Sequence, residues 1–412
     1  MYHRSSLMSG AERQRGALAE HVIERRLWGA GPFFLLDVGC SGGVEQRWQI
    51  FGDRLRAIGF DPLVAEIDRL NRLSTQSGVS YEGAFVTCRN YAGLFPPELQ
   101  RDRIASKNDD PFPRVSAVAA QSRSSVSYIQ QVFNAGAPVV MSERTVVLGD
   151  YVNPSEHAHV DFVKVDTDGH DIEAVLGAEA IMTAGGILGL HVEVQLHGAI
   201  HPYANTFANI DRFLRQQGFT LFGLTTYQYS RKDLPAPFVF DLAAQTTSGQ
   251  VVWGDALYCR DLGSPDYDRM WPYAITSERV LKLACLFDIF DLPDCAAELL
   301  LNRGDFLEPG VRGTLLDLLA TGEPGSYAAH MAEFERDFRA FYPSRLRQRD
   351  TPMAAGNGRQ VEKGEPSVKL RQLRERVASL SEKNASLRER LQARRERIEQ
   401  LTKRIERLEQ KP

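Results

Sequence analysis

The chain has 412 residues, of which 43% are apolar and 25% charged, and its formal net charge is −4. This length allows one sizeable α/β domain and a smaller unit, and the composition is typical of globular proteins. The five cysteines lack paired spacing, which argues against a disulfide or zinc framework, and the acidic body argues against nucleic acid as a partner.

The N-terminal segment, residues 1–32, is predicted to be helical and has no apolar core of a signal peptide. No other stretch is apolar for long enough to cross a bilayer, so we expect no transmembrane segment and a cytoplasmic location. Strands are predicted at 33–38, 55–60, 79–86, 162–165, 187–194, 220–224 and 256–260. Helices between them are predicted at 45–51, 63–73, 172–176 and 210–217. This alternation predicts a doubly wound, mostly parallel, Rossmann-like α/β sheet within residues 33–264.

Helical patterns dominate after the predicted sheet and define three further segments. Residues 265–350 are expected to form a small helical annex. Residues 351–367 are rich in Gly, Pro and polar side chains, which indicates a flexible linker. Residues 368–410 carry a heptad repeat and are predicted to form a coiled coil.

A glycine-rich turn follows the first predicted strand and indicates a ligand site. Its sequence, DVGCSGG, starts at Asp37 and includes Gly39, Ser41 and Gly43, and Asp61 ends the second strand. A carboxylate at that position can accept both hydroxyls of a ribose. An acid just before the glycines would repel the phosphates of a dinucleotide, whereas S-adenosyl-L-methionine carries an ammonium and a sulfonium instead. The turn therefore favours a sulfonium cofactor.

The run DFVKVDTDGHDIEAVLGA, residues 161–178, combines a buried strand, an acid-rich loop and the start of a helix. Ligands of open α/β sheets bind outside the carboxyl ends of strands. If the loop stays extended, Asp166, Asp168 and His170 should point to the same side. Such a set could act on an acceptor or hold a divalent ion.

These motifs resemble the FkbM-type class I S-adenosylmethionine-dependent methyltransferases. The resemblance rests on DVGCSGG, FDP at 60–62, TVVLGDYV at 145–152 and the 161–178 run, and it covers roughly residues 33–260. It implies O-methylation of an acceptor hydroxyl, commonly on a sugar, a glycan or a related small molecule. It also implies that Asp37, Gly39, Ser41, Gly43 and Asp61 bind the cofactor.

An acceptor hydroxyl must lose its proton during methyl transfer, so a base is expected near the methyl group. The candidates are His170, Asp168 and Asp166, with His170 oriented by Asp168 or Asp171. Metal-assisted transfer is an alternative mechanism. Two other functions remain open at this stage: an inactive methyltransferase-like scaffold that presents the coiled coil, and a nucleotide-dependent oxidoreductase, which would need the GxGxxG motif that this chain lacks.

The tail from residue 367 has 14 Lys and Arg against 7 Asp and Glu. Ten of the twelve a and d positions between 370 and 408 are apolar, and Asn384 at an a position favours a two-stranded pair. The g positions are basic, so parallel self-pairing would bring like charges together. We therefore expect either a salt-sensitive homodimer or pairing with an acidic helix of another protein.

Overall fold

The structure is a computed structural model that describes residues 15–94, 140–198, 201–229, 245–247 and 249–341. The predicted linker at 351–367 and the predicted coiled coil at 368–410 lie outside the described residues, as does most of the Pro- and Ser-rich stretch at 96–142. Within the described parts of the chain, no helix is both long and apolar enough to span a bilayer.

Ten strands alternate with helices along the described chain. The strands are β1 (Phe33–Val38), β2 (Leu55–Asp61), β3 (Val79–Gly83), β4 (Phe85–Val86), β5 (Thr145–Val146), β6 (Phe162–Val165), β7 (Gly189–Gln195), β8 (Phe219–Tyr229), β9 (Gln245–Thr246) and β10 (Gln250–Arg260). Eight of them form one sheet in the order β3-β2-β1-β6-β7-β10-β8-β9, and β4 pairs with β5. The first five strands of that order, β3, β2, β1, β6 and β7, are parallel to their neighbours. Strand β10 runs antiparallel to β7 and β8. The predicted doubly wound, mostly parallel sheet is confirmed.

The helices cover both faces of this sheet. They are α1 (Ala17–Glu24), α2 (Val64–Leu73), α3 (Leu148–Tyr151), α4 (Asp171–Gly177), α5 (Glu179–Thr183), α6 (Phe207–Gln216), α7 (Tyr267–Met270), α8 (Ser277–Ile289), α9 (Pro293–Arg303), α10 (Val311–Ala320) and α11 (Ser326–Arg336). Short 3-10 helices lie at Tyr91–Leu94, Pro154–His159, Gly304–Phe306 and Phe338–Phe341, and a longer one at Gln46–Arg54.

Side chains that alternate along the central strands divide the core between the two faces. Phe33, Leu35 and Phe162 point to one face and pack with α1 and the C-terminal helices. Phe34 and Val163 point to the other face and pack with α4 and α6. Every residue of β1 and β6 is buried, so these strands do not alternate between apolar and polar side chains, and only Asp37 and Lys164 interrupt their apolar runs.

The helices predicted as an annex pack directly on the first of these faces. In the middle of α8, the buried Lys282 donates to both carboxyl oxygens of Asp161, at 3.1 and 2.9 Å, and to the carbonyl oxygen of Pro32 at 2.7 Å. Asp161 also accepts from the backbone N–H of Phe34. This network ties α8 to the start of β1 and β6. The described residues up to Phe341 belong to one compact unit.

Several predicted elements differ from the observed ones in length. Strands β8 and β10 have 11 residues each, where shorter segments were predicted, because they pair with each other along their full length. The segment predicted as one strand at 79–86 is two strands, since β3 pairs with β2 and β4 with β5. The helix predicted at 45–51 is the 3-10 helix Gln46–Arg54, which is interrupted at Gly52 with φ 51°.

Candidate functional site

The turn after β1 brings the chain very close to the end of β6. Gly39 has φ 80°, and a Cβ atom at this position would lie 1.7 Å from the carbonyl oxygen of Asp166. Only glycine fits both the backbone conformation and the space. Gly42 and Gly43 also have positive φ, and the predicted cofactor residue Ser41 lies exposed between them and Cys40.

Asp37 lies behind this turn and is fully buried. Neither of its carboxyl oxygens accepts a hydrogen bond within the described part of the chain. The ammonium of Lys164 on β6 lies 3.4 Å from Asp37 Oδ1 and 3.4 Å from Asp166 Oδ2, and it donates to the carbonyl oxygen of Gly39 at 3.3 Å. Lys164 therefore joins the glycine turn, Asp37 and the end of β6.

The strand register continues this polar arrangement across the same face of the sheet. Asp37 is opposite Lys164, and Lys164 is opposite His191 on β7. One row further toward the carboxyl ends, Glu193 on β7 is directly opposite Asp255 on β10. Residues opposite each other in a sheet point to the same side. We call Asp37, Asp61, Lys164, Asp166, Glu193 and Asp255 the strand-end site.

Burial shifts the protonation of several acids in this site. It raises the pKa of Asp37 to about 6, although nearby Lys164 opposes the shift. Burial also raises the pKa of Asp61, and that of Asp255 to about 6. The pKa of Glu193 rises furthest, to about 10, because burial is reinforced by the carboxylates around it. The site thus holds more carboxyl groups than its single lysine can compensate.

Asp61 ends β2, the strand next to β1, on the side away from β6. Its Oδ1 accepts from the backbone N–H of Leu63 at 2.8 Å, which fixes the carboxyl group as the chain leaves the strand. Asp61 as a whole residue is only 9% exposed. Asp61 therefore lies at the carboxyl end of β2, and its role in ribose recognition stays a prediction.

The loop after β6 is not extended, so the predicted alignment of Asp166, Asp168 and His170 is wrong. Asp168 has φ 52° and Gly169 has φ 113°, and these left-handed residues reverse the chain. The buried Asp171 holds the reversal: its carboxyl group accepts from the backbone N–H of Thr167 at 2.8 Å and of Gly169 at 3.3 Å. It also accepts from the side chain of Asn205 at 3.0 Å. Asp171 therefore shapes the loop.

His170 and Glu173 meet on the side of the loop where α4 packs. Nδ1 of His170 lies 3.1 Å from Oε1 of Glu173, whose Oε2 accepts from the hydroxyl of Thr87 at 2.8 Å. Asp171, one of the two residues predicted to orient His170, is instead bonded to the loop backbone and to Asn205. Asp166, which belongs to the strand-end site, and Asp168, two residues further along the loop, are both exposed.

Several residues of this region were not singled out from the sequence. Asp255 accepts from the hydroxyl of Tyr227 at 2.9 Å, and the ring of Tyr227 stacks on Trp253 at 3.9 Å between centroids. The pKa of His191 falls to about 4 because of burial and the nearby positive charges of Arg47 and Lys164. The sequence feature that could identify Trp253 and Asp255 is the period-two pattern of residues 250–260, which puts both side chains on one face of the strand.

Metal-binding geometry is not found among the described residues: no group of three or more His, Cys, Asp or Glu side chains is arranged to hold an ion. A cavity of about 700 Å³ lies elsewhere, between α4 and α6, where Arg89, Leu176, Tyr203 and Arg212 contribute to its walls. None of its lining residues belongs to the strand-end site.

Comparison with known proteins finds similarity in chain path only. No protein-family model and no curated protein matches the chain. A TehB-like SAM-dependent methyltransferase from Corynebacterium glutamicum is 9% identical over 60% of this chain and 88% of its own, with a TM-score of 0.25. A putative rRNA methylase from Clostridium thermocellum is 11% identical over 60% and 96%, with a TM-score of 0.26. A SAM-dependent methyltransferase from Anabaena variabilis is 10% identical over 62% and 98%, with a TM-score of 0.23.

Proposed function

We propose that the protein is an S-adenosyl-L-methionine-dependent methyltransferase that methylates a hydroxyl group of a small-molecule or glycan acceptor. The observation that carries this proposal is the buried Asp37 behind a glycine turn at the point where the strand order reverses. Ligands of doubly wound sheets bind at this point. A buried carboxyl group here disfavours a phosphate-bearing cofactor and favours one with positive charge.

The residues around the turn fit this cofactor. Gly39 lets the backbone pass close to β6, and a Cβ atom at Gly42 would meet nothing within 4 Å, which leaves room beside the turn. Neither oxygen of Asp37 accepts a hydrogen bond in the described chain, and the ammonium of Lys164 is an ion-pair partner 3.4 Å from Oδ1. Asp61 would bind the ribose hydroxyls, and Ser41 and Gly43 would contribute to the wall of the site.

The cofactor supplies an electrophilic methyl group, and the chain must hold an acceptor hydroxyl in line with it and take up its proton. Asp166 and Asp168 are proposed for proton uptake because they are exposed at the mouth of β6. His170 remains a third candidate, but its bond to Glu173 directs its ring toward α4. A sugar hydroxyl is proposed as acceptor from the resemblance to the FkbM-type enzymes.

Calorimetric titration with S-adenosylmethionine and with NAD tests the cofactor assignment. We expect micromolar or tighter binding of the first and none of the second. Asp61→Asn should weaken binding about tenfold or more, because a charge-assisted hydrogen bond to the ribose is lost. Asp53→Asn, which changes an exposed acid on the 3-10 helix, is the matched control. Binding of NAD alone would overturn the proposal in favour of an oxidoreductase.

Radiolabelled methyl transfer into a cell extract tests the activity and separates an enzyme from an inactive scaffold. Asp166→Asn, Asp168→Asn and His170→Ala should be compared at equal cofactor occupancy. Loss of transfer in one variant identifies the proposed base. Undiminished transfer in all three would contradict the assignment of proton uptake to this loop.

For the tail at residues 368–410 we propose helix pairing, either as a homodimer or with an acidic helix of another protein. The basic g positions support a salt-sensitive pair. Sedimentation of the full chain at low and high salt tests this, because added salt should strengthen self-association by screening like charges. A tight dimer at both salt concentrations would contradict it.

A further inference from the structure

Arg47 lies on the 3-10 helix that follows the glycine turn, and its guanidinium is held in place from two sides. The guanidinium carbon is 4.8 Å from the ring centroid of Phe290. Its Nε is 2.6 Å from Oε2 of Glu45. The side chain is still 35% exposed, so part of its donor fork is open to a ligand.

Phe290 is in turn fixed by the aromatic core beneath the strand-end site. It directly follows α8, and its ring lies 5.9 Å from Trp48, 5.6 Å from Phe162 and 5.5 Å from His191. Since Phe162 belongs to β6 and His191 to β7, Phe290 packs against these two strands, and Arg47 lies over the Phe290 ring. The positive charge of Arg47 acts on β7, because it helps to lower the pKa of His191.

Arg47 and Asp61 therefore lie on opposite sides of β1. Strands β2 and β7 are separated by three strand spacings in the sheet order, which is roughly 14 Å at about 4.8 Å per spacing. A nucleoside joined to an amino acid is long enough to reach across that distance. With the ribose at Asp61, the amino-acid half of the ligand extends toward β6, β7 and Arg47.

We propose that Arg47 binds the α-carboxylate of the methionine half of S-adenosylmethionine, and that Phe290 holds the guanidinium in the orientation this requires. An arginine fork matches a carboxylate with two parallel hydrogen bonds. Glu45 and the strand-end carboxylates provide the opposite charge for the neighbouring α-ammonium. Phe290 is a positioning residue here, and through it the segment after α8 takes part in cofactor binding. This inference rests on the proposed function.

Decarboxylated S-adenosylmethionine tests the proposal, because it keeps the adenosine, the sulfonium and the ammonium and lacks only the carboxylate. We expect calorimetry to show that the unchanged protein binds S-adenosylmethionine at least tenfold more tightly than the decarboxylated probe. Arg47→Gln should remove that preference, because it should lower the affinity for S-adenosylmethionine and leave that for the decarboxylated probe unchanged. Arg47→Lys should recover part of the preference.

Arg56→Gln is a matched control, because Arg56 also lies over a phenylalanine ring, at 4.1 Å from Phe34, and pairs with Glu156. It lies at the opposite edge of the sheet, near the start of β2, and should leave both affinities unchanged. Phe290→Leu should lower the affinity for S-adenosylmethionine by a smaller factor than Arg47→Gln does. It should leave the affinity for the decarboxylated probe unchanged. Thermal unfolding of each variant verifies that it is folded.

The outcomes separate the two proposals. If the unchanged protein binds neither ligand, the proposed function is wrong and this inference is wrong with it. If it binds both equally, or if Arg47→Gln weakens both by the same factor, the methyltransferase assignment stands and the role of Arg47 is refuted.

Discussion

Glu193 gives the sharpest test of the electrostatics of the strand-end site. It faces Asp255 directly across the β7–β10 pair, and one of its oxygens is buried without a hydrogen-bond partner in the described chain. Because its pKa is raised to about 10, it is protonated in the folded protein at neutral pH. In the unfolded chain it is ionised, since its ordinary pKa is about 4.3. Glu193→Gln should therefore stabilise the protein, by an amount that grows with pH.

The sign and the size of this change in the free energy of unfolding follow from proton linkage. Between the two pKa values the folded state binds one more proton than the unfolded state, so the free energy of unfolding falls as pH rises. One group contributes at most about 1.4 kcal/mol per pH unit. Glutamine has no such contribution, so the advantage of the variant should increase by up to about 2.7 kcal/mol from pH 6 to pH 8. Because the neutral glutamic acid and glutamine have similar shape and charge, the other acids are little affected.

Urea unfolding at pH 6, 7 and 8 measures this difference, and we expect the two stability curves to diverge by at least about 1 kcal/mol over this range. Glu24→Gln, at an exposed position of α1, should give a difference independent of pH. A constant difference for Glu193→Gln would show that Glu193 is already ionised in the folded protein. That result would refute the reasoning about the acid-rich face.

Three further predictions test other parts of the structure. Gly39→Ala should lower the free energy of unfolding by more than about 3 kcal/mol in the same urea assay, because its Cβ would lie 1.7 Å from a backbone carbonyl oxygen. The control Gly42→Ala, at φ 86° in open space, should lower it by only about 1 to 2 kcal/mol. Lys282→Met should cost about 3 to 5 kcal/mol by leaving the carboxyl group of Asp161 buried without its cation. Adding Asp161→Asn should restore a large part of that loss, and no restoration would refute the ion pair as the cause. Affinity for S-adenosylmethionine should rise between pH 5 and pH 7 as Asp37 and Asp255, each with a pKa of about 6, become ionised. Asp37→Asn should reduce that rise in calorimetry to the part that Asp255 contributes, and an unchanged rise would refute the role of Asp37.

The sheet was predictable because its information is local. Strands β1, β2 and β6 are short, mostly apolar segments, and the glycines after β1 mark where the chain must turn. The amphipathic spacing of α6 and the helices after residue 265 is likewise visible in the sequence. These elements are confirmed, with ends that shift by a few residues.

The site was less predictable because its contacts join distant parts of the chain. The reversal of the 166–171 loop is held by Asp171, whose carboxyl group also accepts from Asn205 on a different segment. The role of Lys164 depends on the register between β1 and β6, and in sequence it only interrupts an apolar run. Likewise, the contact between Arg47 and Phe290 crosses most of the chain. No local pattern encodes such pairs.

Helix α8 and the residue that follows it make two separate contacts with the sheet: Lys282 bonds to the start of β1 and β6, and Phe290 packs against His191 on β7. A chain shortened after residue 264 would lose both contacts and uncover the aromatic surface formed by Phe33, Trp48 and Phe162. That shortened chain should aggregate, because a large apolar face would be open to solvent. Domain exchanges with other α/β proteins should therefore transfer residues 15–341 as one piece, since α8 and the strand-end site stay together only in that unit.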